Sequence, residues 1–232
     1  MAEAEPRVLI GMKLLADLSA PDLIELEKNS RYRRFSAGEQ IFDRHAATND
    51  VFFVVRGRVR VVNYSLSGRE ITLDDIPQGG HFGDLAAIDD EPRSASVMAA
   101  TDCVIVAVPA KDFLHALERH PNMALRVMRN LGHLLRNSTE RIMDLSTLGA
   151  NNRAHAELLR QARANMNGEN QAVLAPNPIH GELASRVSTT RETVARVMND
   201  LARKGIVKRT KDSLIVRDVD RLDHMVEEVR GE

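Results

Sequence analysis

The spacing of the apolar residues changes once, at Pro109, and this change constrains the fold more than any other feature of the chain. From about Gln40 to Val108 the pattern is two-periodic. Val51, Phe53 and Val55 alternate, and Val59 and Val61 stand beside Arg58 and Arg60. Alternation of this kind predicts strands. Gly57, Gly68, Gly79 and Gly80 punctuate the runs at roughly ten-residue spacing, as hairpins do in an all-β sandwich or barrel. Cys103 closes the set inside the run Cys-Val-Ile-Val-Ala-Val, where a thiol is expected to be a buried packing residue. After Pro109 the period is helical through about Leu148, and Pro121 is suited to the first turn of the longer piece.

That longer piece has an unusual spacing. Met128, Leu131, Leu135, Ser138, Ile142, Leu145 and Gly149 are separated by threes and fours, the 3.5-residue repeat of a two-stranded coiled coil. The spacing predicts a parallel homodimer, built on a helix about 42 Å long. Ser138 puts a hydroxyl in the apolar row and Thr139 follows on its shoulder. Either the pair sets the register of the coiled coil, or a ligand supplies its hydrogen-bond partner.

Gly149-Ala-Asn-Asn-Arg153 weakens the helix and marks a domain boundary. We therefore divide the 232 residues into a β domain (1–120), a dimerisation helix (121–149) and a C-terminal domain (150–232). In the last, residues 155–165 read as a helix, followed by polar loops. Leu183–Val187 and Thr190–Lys204 then read as two helices with only Ser188 and Thr189 between them, a helix-turn-helix spacing. The whole chain carries 32 basic and 33 acidic side chains, but residues 186–217 hold nine basic against three acidic. On a helix-turn-helix such a bias points to DNA.

The single cysteine excludes a disulfide framework or a cysteine-held metal site within one chain, and a reducing cytoplasm fits. The start Met-Ala-Glu-Ala-Glu-Pro lacks an export signal, and nowhere do 18 apolar residues run together, so no membrane association is expected. The histidines show no metal-binding spacing and no catalytic constellation stands out, which argues against an enzyme.

Two constellations carry chemistry. The first is Gly79-Gly-His-Phe-Gly83-Asp84-Leu85-Ala86-Ala87 followed by Glu91-Pro-Arg93-Ser94-Ala95. A glycine turn exposing amides, a fixed guanidinium and a hydroxyl together make a phosphate cradle, though glycine turns beside Pro-Arg-Ser loops also occur without one. The second is Thr190-Arg191-Glu192-Thr193-Val-Ala-Arg196. Arginine forks suit guanine, and a carboxylate accepts from cytosine N4. Thr189 and Glu192 also fit a capping box, which would leave Glu192 a purely structural role.

The first motif resembles the phosphate-binding cassette of the cyclic-nucleotide-binding domain, and the second resembles the recognition motif of the catabolite activator branch of the CRP/FNR superfamily. The likeness runs from about residue 10 to 217. It implies an α+β chain with an N-terminal cyclic-nucleotide-binding β jelly roll, a long coiled-coil dimerisation helix and a C-terminal winged helix-turn-helix. By this resemblance Gly83 and the amides through Leu85 and Ala86 hold a cyclic phosphate, while Arg93 and Ser94 bind it. Asp84 stands where the family usually has glutamate on the ribose. Ser138 and Thr139 match the hydroxyl pair that reads the base across the dimer. Arg191, Glu192 and Arg196 would read TGTGA-like half-sites, with Thr190, Lys208, Arg209 and Lys211 on the DNA backbone or wing. The implied effector is cyclic AMP, with cyclic GMP second and no metal. The implied partners are operator DNA, a second copy of the chain and RNA polymerase. Two alternatives remain: a regulator of the same fold that needs no nucleotide or senses another effector, and a signalling or scaffold protein.

Overall fold

Val51-Phe-Phe-Val54 is buried at four consecutive positions, which a strand achieves only when both faces of its sheet are covered. The structure, a computed structural model, describes residues 8–230. The export-signal expectation rests on residues 1–6, outside that range. The chain divides between Leu134 and Leu135 into two compact units.

In the first unit, one antiparallel sheet has the order β1 (Arg31–Phe35), β8 (Cys103–Val108), β3 (Val51–Arg56), β6 (His81–Phe82). The other runs β2 (Gln40–Phe42), β7 (Ser96–Ala99), β4 (Arg58–Tyr64), β5 (Glu70–Pro77). Apart from β4 and β5, the paired strands are not consecutive in the chain, as in a jelly roll. Phe52 and Val54 join Phe35, Ile41, Val59, Phe82, Val97 and Ile105 in one core cluster. On the opposite face, Val51, Phe53, Val106 and Val108 pack with apolar residues of α1 (Ala20–Glu27), α3 (Ala110–Arg119) and the start of α4 (Pro121–Thr147). Cys103 is buried, its thiol donating to the carbonyls of Arg58 and Thr101 at 3.1 and 3.0 Å. Gly57 (φ +89°) has no alternative there, because a β-carbon would lie 2.3 Å from the Asp102 carbonyl.

Of the expected seam on α4, Met128, Leu135, Ile142 and Leu145 are 59, 69, 63 and 49% exposed. Leu131 differs: it packs against the core of the first unit. The helix stops at Thr147 and only Leu148 and Gly149 are non-helical before α5 (Ala150–Ala164), so the Ala-Asn-Asn-Arg stretch expected to be linker is the first turn of a helix. Gly149 is its N-cap, and its carbonyl accepts from the Arg153 amide.

The second unit continues with β9 (Ala172–Leu174), α6 (His180–Arg186), α7 (Arg191–Arg203), β10 (Val207–Arg209), β11 (Leu214–Val216) and α8 (Val219–Arg230). The three strands form one antiparallel sheet, order β10-β11-β9, so the hairpin of β10 and β11 gains a third strand, β9, from the stretch where polar loops are expected. Leu158, Ala162, Leu174, Leu201, Ile206, Leu214, Leu222 and Val226 make its core. No helix among the described residues is long and apolar enough to cross a membrane.

Candidate functional site

Arg93 is the central residue of the first constellation, and only 2% of it is exposed. Nε donates to Thr48 Oγ1 at 3.1 Å, Nη1 to the Gly83 carbonyl at 2.9 Å and Nη2 to the Asp50 carbonyl at 2.8 Å. The guanidinium lies 4.3 Å from the Phe42 ring centroid and 5.4 Å from that of Phe52. Its backbone is stitched to the 43–48 loop in both directions, His45 N to Arg93 O and Arg93 N to Ala46 O. All three acceptors are neutral, and among the described residues no carboxylate lies within ion-pair distance. Burial pushes the guanidinium pKa down, while the charges of Asp50 and Asp84 work against the shift without touching it.

Gly83 precedes α2 (Asp84–Asp89) in the left-handed region, φ +82°, and its carbonyl is the one that takes Arg93 Nη1. Asp84 opens α2 and faces a protein partner, with His81 Nε2 at 3.5 Å from Oδ2. Leu85 is half-buried and Ala86 buried, while Ser94, next to Arg93, is exposed. In the second unit Ser138 and Thr139 are exposed on α4, and the Thr139 hydroxyl donates to the Leu135 carbonyl at 3.0 Å.

The second constellation is a helix with two unlike faces. Thr193, Val194, Val197 and Leu201 are buried, leaving Arg191, Glu192 and Arg196 exposed on the other side of α7. The N-cap is Thr190, whose hydroxyl accepts from the Thr193 amide at 3.2 Å. This corrects the capping box expected from Thr189 and Glu192, because the helix starts one residue later and Thr193 occupies the third position. Glu192 is still held as an anion. Its own amide and the Thr190 hydroxyl lower its pKa, with help from Arg191 and Arg196. A carboxylate so held is an acceptor only, as cytosine N4 requires. Asp200 pairs with Arg203 and Lys204, whereas Lys208, Arg209 and Lys211 stand exposed on and beside β10 with no ion-pair partner among the described residues.

Comparison with known proteins gives the same picture. The cyclic nucleotide-binding domain family matches residues 32–120, and the Crp-like helix-turn-helix domain family matches residues 153–225. The "Cyclic AMP receptor protein" of Thermus thermophilus is 30% identical over 207 residues, covering 89% of this chain and 93% of that protein. The chain belongs to the CRP/FNR family of transcription regulators. Among solved members, a CooA mutant from Carboxydothermus hydrogenoformans superposes with a TM-score of 0.76 at 24% identity, covering 90% of this chain and 96% of that one. The Thermus thermophilus catabolite activator protein gives 0.52 at 28% identity, covering 93% and 99%. The family is one of transcription regulators, and this chain is a CRP-like regulator with a cyclic-nucleotide-binding and a helix-turn-helix DNA-binding domain.

Several residues that build the site carry no sequence signal of their own. Thr48 and Asp50 act through one hydroxyl and one carbonyl, and Phe42 and Phe52 read only as core. His180, at the start of α6, is a further case. Burial lowers its pKa first, then the charges of Arg209 and Arg191, which places it in the same positive neighbourhood as the start of α7.

Proposed function

We propose that this chain is a homodimeric regulator whose affinity for TGTGA-like palindromes is controlled by a cyclic nucleotide, cyclic AMP first and cyclic GMP second. The observation that carries the effector reading is Arg93. A guanidinium 2% exposed and without a carboxylate is unfavourable unless an anion arrives, and the Phe42 face compensates only in part. Three of its five N–H groups are anchored on neutral oxygens, which fixes the fork and leaves two donors for a phosphate. Gly83 beside it and exposed Ser94 complete the cradle.

The exposed row Met128, Leu135, Ile142, Leu145 supports pairing with a second copy of the chain, which brings two α7 helices to successive major grooves about 34 Å apart. Ser138 and Thr139 lie on the same helix and would read the base. Thr190, Lys208, Arg209 and Lys211 would hold the DNA backbone beside the base-reading Arg191, Glu192 and Arg196. Such a regulator acts in the cytoplasm, with RNA polymerase as its further partner.

Titration calorimetry with each nucleotide, followed by binding to a TGTGA palindrome, tests the proposal. Arg93→Ala is expected to abolish nucleotide binding and leave the dimer intact; unchanged nucleotide binding would overturn the cassette reading. A second reading rests on Asp84, whose carboxylate sits by His81. It describes a regulator of the same fold that needs no nucleotide, and it predicts equal operator affinity with and without cyclic AMP.

A further inference from the structure

We propose that His180 is a further DNA contact, its imidazolium sharing a backbone phosphate with Arg209, so that binding to a duplex takes up a proton. The proposal rests on the DNA face read above and is independent of the effector.

His180 is the first residue of α6 and half-buried, between exposed Ile179 and exposed Gly181. Two sets of contacts fix its place. Leu183 and Ala184, on the same helix, pack with Val194 of α7. Three residues before His180, Asn177 is stitched to the turn between β10 and β11. Its amide donates to the Asp212 carbonyl at 3.0 Å and its Nδ2 to the Thr210 carbonyl at 3.3 Å. Thr210 closes that turn, its amide and hydroxyl donating to the Ser213 carbonyl at 2.8 and 2.9 Å. The chain therefore enters α6 against the turn that follows β10, and His180 comes under the charges of Arg209 on β10 and Arg191 on α7.

This cluster lacks an anion. Arg191 and Arg209 are exposed, and among the described residues neither has a carboxylate within ion-pair distance. The His180 ring has no hydrogen-bond or ion-pair partner among them either. The nearby acids do not fill the gap. Glu192 adjoins Arg191, but its own amide and the Thr190 hydroxyl take up its carboxylate. Glu182, two residues along α6, is engaged by other groups. Lys211 and Asp212, exposed in the turn after β10, are of opposite sign.

Two guanidiniums and an imidazole from three elements thus share one region without a counter-charge, and a bound anion would relieve their repulsion. On a helix-turn-helix that anion is a DNA phosphate, because the second helix enters the major groove while the first crosses the backbone. Here α6 is the first helix, and His180 is its end beside β10.

The proton follows from the same charges. In the free chain burial lowers the His180 pKa, and Arg209 and Arg191 lower it further, so the ring is mostly uncharged near neutral pH. A phosphate offsets both guanidiniums and favours the charged ring. The pKa in the complex is then above that of the free chain, and between the two values each bound chain takes up a proton. Affinity therefore rises as pH falls.

Fluorescence anisotropy on labelled duplexes tests this, with the full chain at constant ionic strength, with and without cyclic AMP. Wild type is expected to gain affinity several-fold as pH falls from about 8 to about 6. The gain should appear on a TGTGA palindrome and on a duplex without it, since a phosphate carries no sequence information. His180→Gln should lose most of the gain, whereas His180→Arg, charged throughout, should bind more tightly than His180→Gln at the higher pH and vary little. An equal gain in wild type and His180→Gln overturns the proposal, because the proton then goes elsewhere. Calorimetry of wild-type binding in two buffers of different ionisation enthalpy counts the protons without any substitution, and no uptake at about pH 6.5 also overturns it. Equal affinity for the two duplexes would instead refute the base-reading assignment, and the pH result would still decide His180.

Discussion

Arg93 Nη1 donates to the carbonyl of Gly83 at 2.9 Å, and a β-carbon on Gly83 would lie 2.7 Å from that same nitrogen. The left-handed backbone of Gly83 and the seat of the guanidinium are thus one requirement. Gly83→Ala adds backbone strain of about 1–2 kcal/mol and pushes the side chain that a phosphate would meet. The expected result is a melting temperature lowered by a few degrees together with loss of nucleotide binding in calorimetry. Wild-type nucleotide affinity in this variant would show that Arg93 does not hold the anion.

The exposed row on α4 makes a second prediction. Leu135 and Ile142 are 69 and 63% exposed, and burying each against a partner is worth about 1.5–3 kcal/mol. Leu135→Lys combined with Ile142→Lys is expected to give a monomer by sedimentation equilibrium while the far-ultraviolet circular dichroism stays close to wild type. A dimer of unchanged strength would mean that association uses another surface.

Where the sequence was legible, a periodic burial pattern or a compact motif made it so. The glycine-punctuated strands and the α6–turn–α7 spacing both appear as expected. Elements lacking such a pattern were missed. β1 reads Arg-Tyr-Arg-Arg-Phe and buries only Phe35, because an edge strand paired on one side needs little apolar surface. β9 has three residues, too few to show a period. α8 did carry a signal in Val219, Leu222 and Val226, spaced three and four apart, beyond the segment the family likeness covered. His180 looks like any polar residue at the start of a helix. The cluster it forms with Arg191 and Arg209 depends on which elements converge, which no local spacing reports.

His155 on α5 is 8% exposed, and its Nδ1 has no hydrogen-bond partner. Burial lowers its pKa first and the charge of Lys204 lowers it further, with Asp200 opposing. A histidine depressed in the folded state binds more protons when unfolded, so its contribution is complete above the unfolded pKa of about 6.5 and is lost as pH falls through the folded value. Urea melts should therefore show wild type losing stability as pH falls below about 6.5, and His155→Leu should flatten that dependence. An acid dependence undiminished in the variant would place its origin in other groups.

The reading helix and the wing should fail in different ways. Arg191, exposed at the start of α7, would fork onto a guanine, so Arg191→Ala is expected to cost about 1–3 kcal/mol at one base pair and to relax discrimination there. Lys208 and Arg209, exposed on β10, would meet phosphates, which carry no sequence information. Lys208→Ala should therefore weaken binding to all sequences alike and reduce the slope of log affinity against log salt by about one. Gel-shift series over single-base variants of the palindrome, each at several salt concentrations, separate the two effects. On the proposed reading Glu192 belongs with the base contacts: Thr190 already caps the helix, so Glu192→Gln should alter preference at one cytosine and leave the salt slope unchanged. If Glu192→Gln instead lowers the melting temperature and leaves base preference intact, the carboxylate serves the helix and not the DNA.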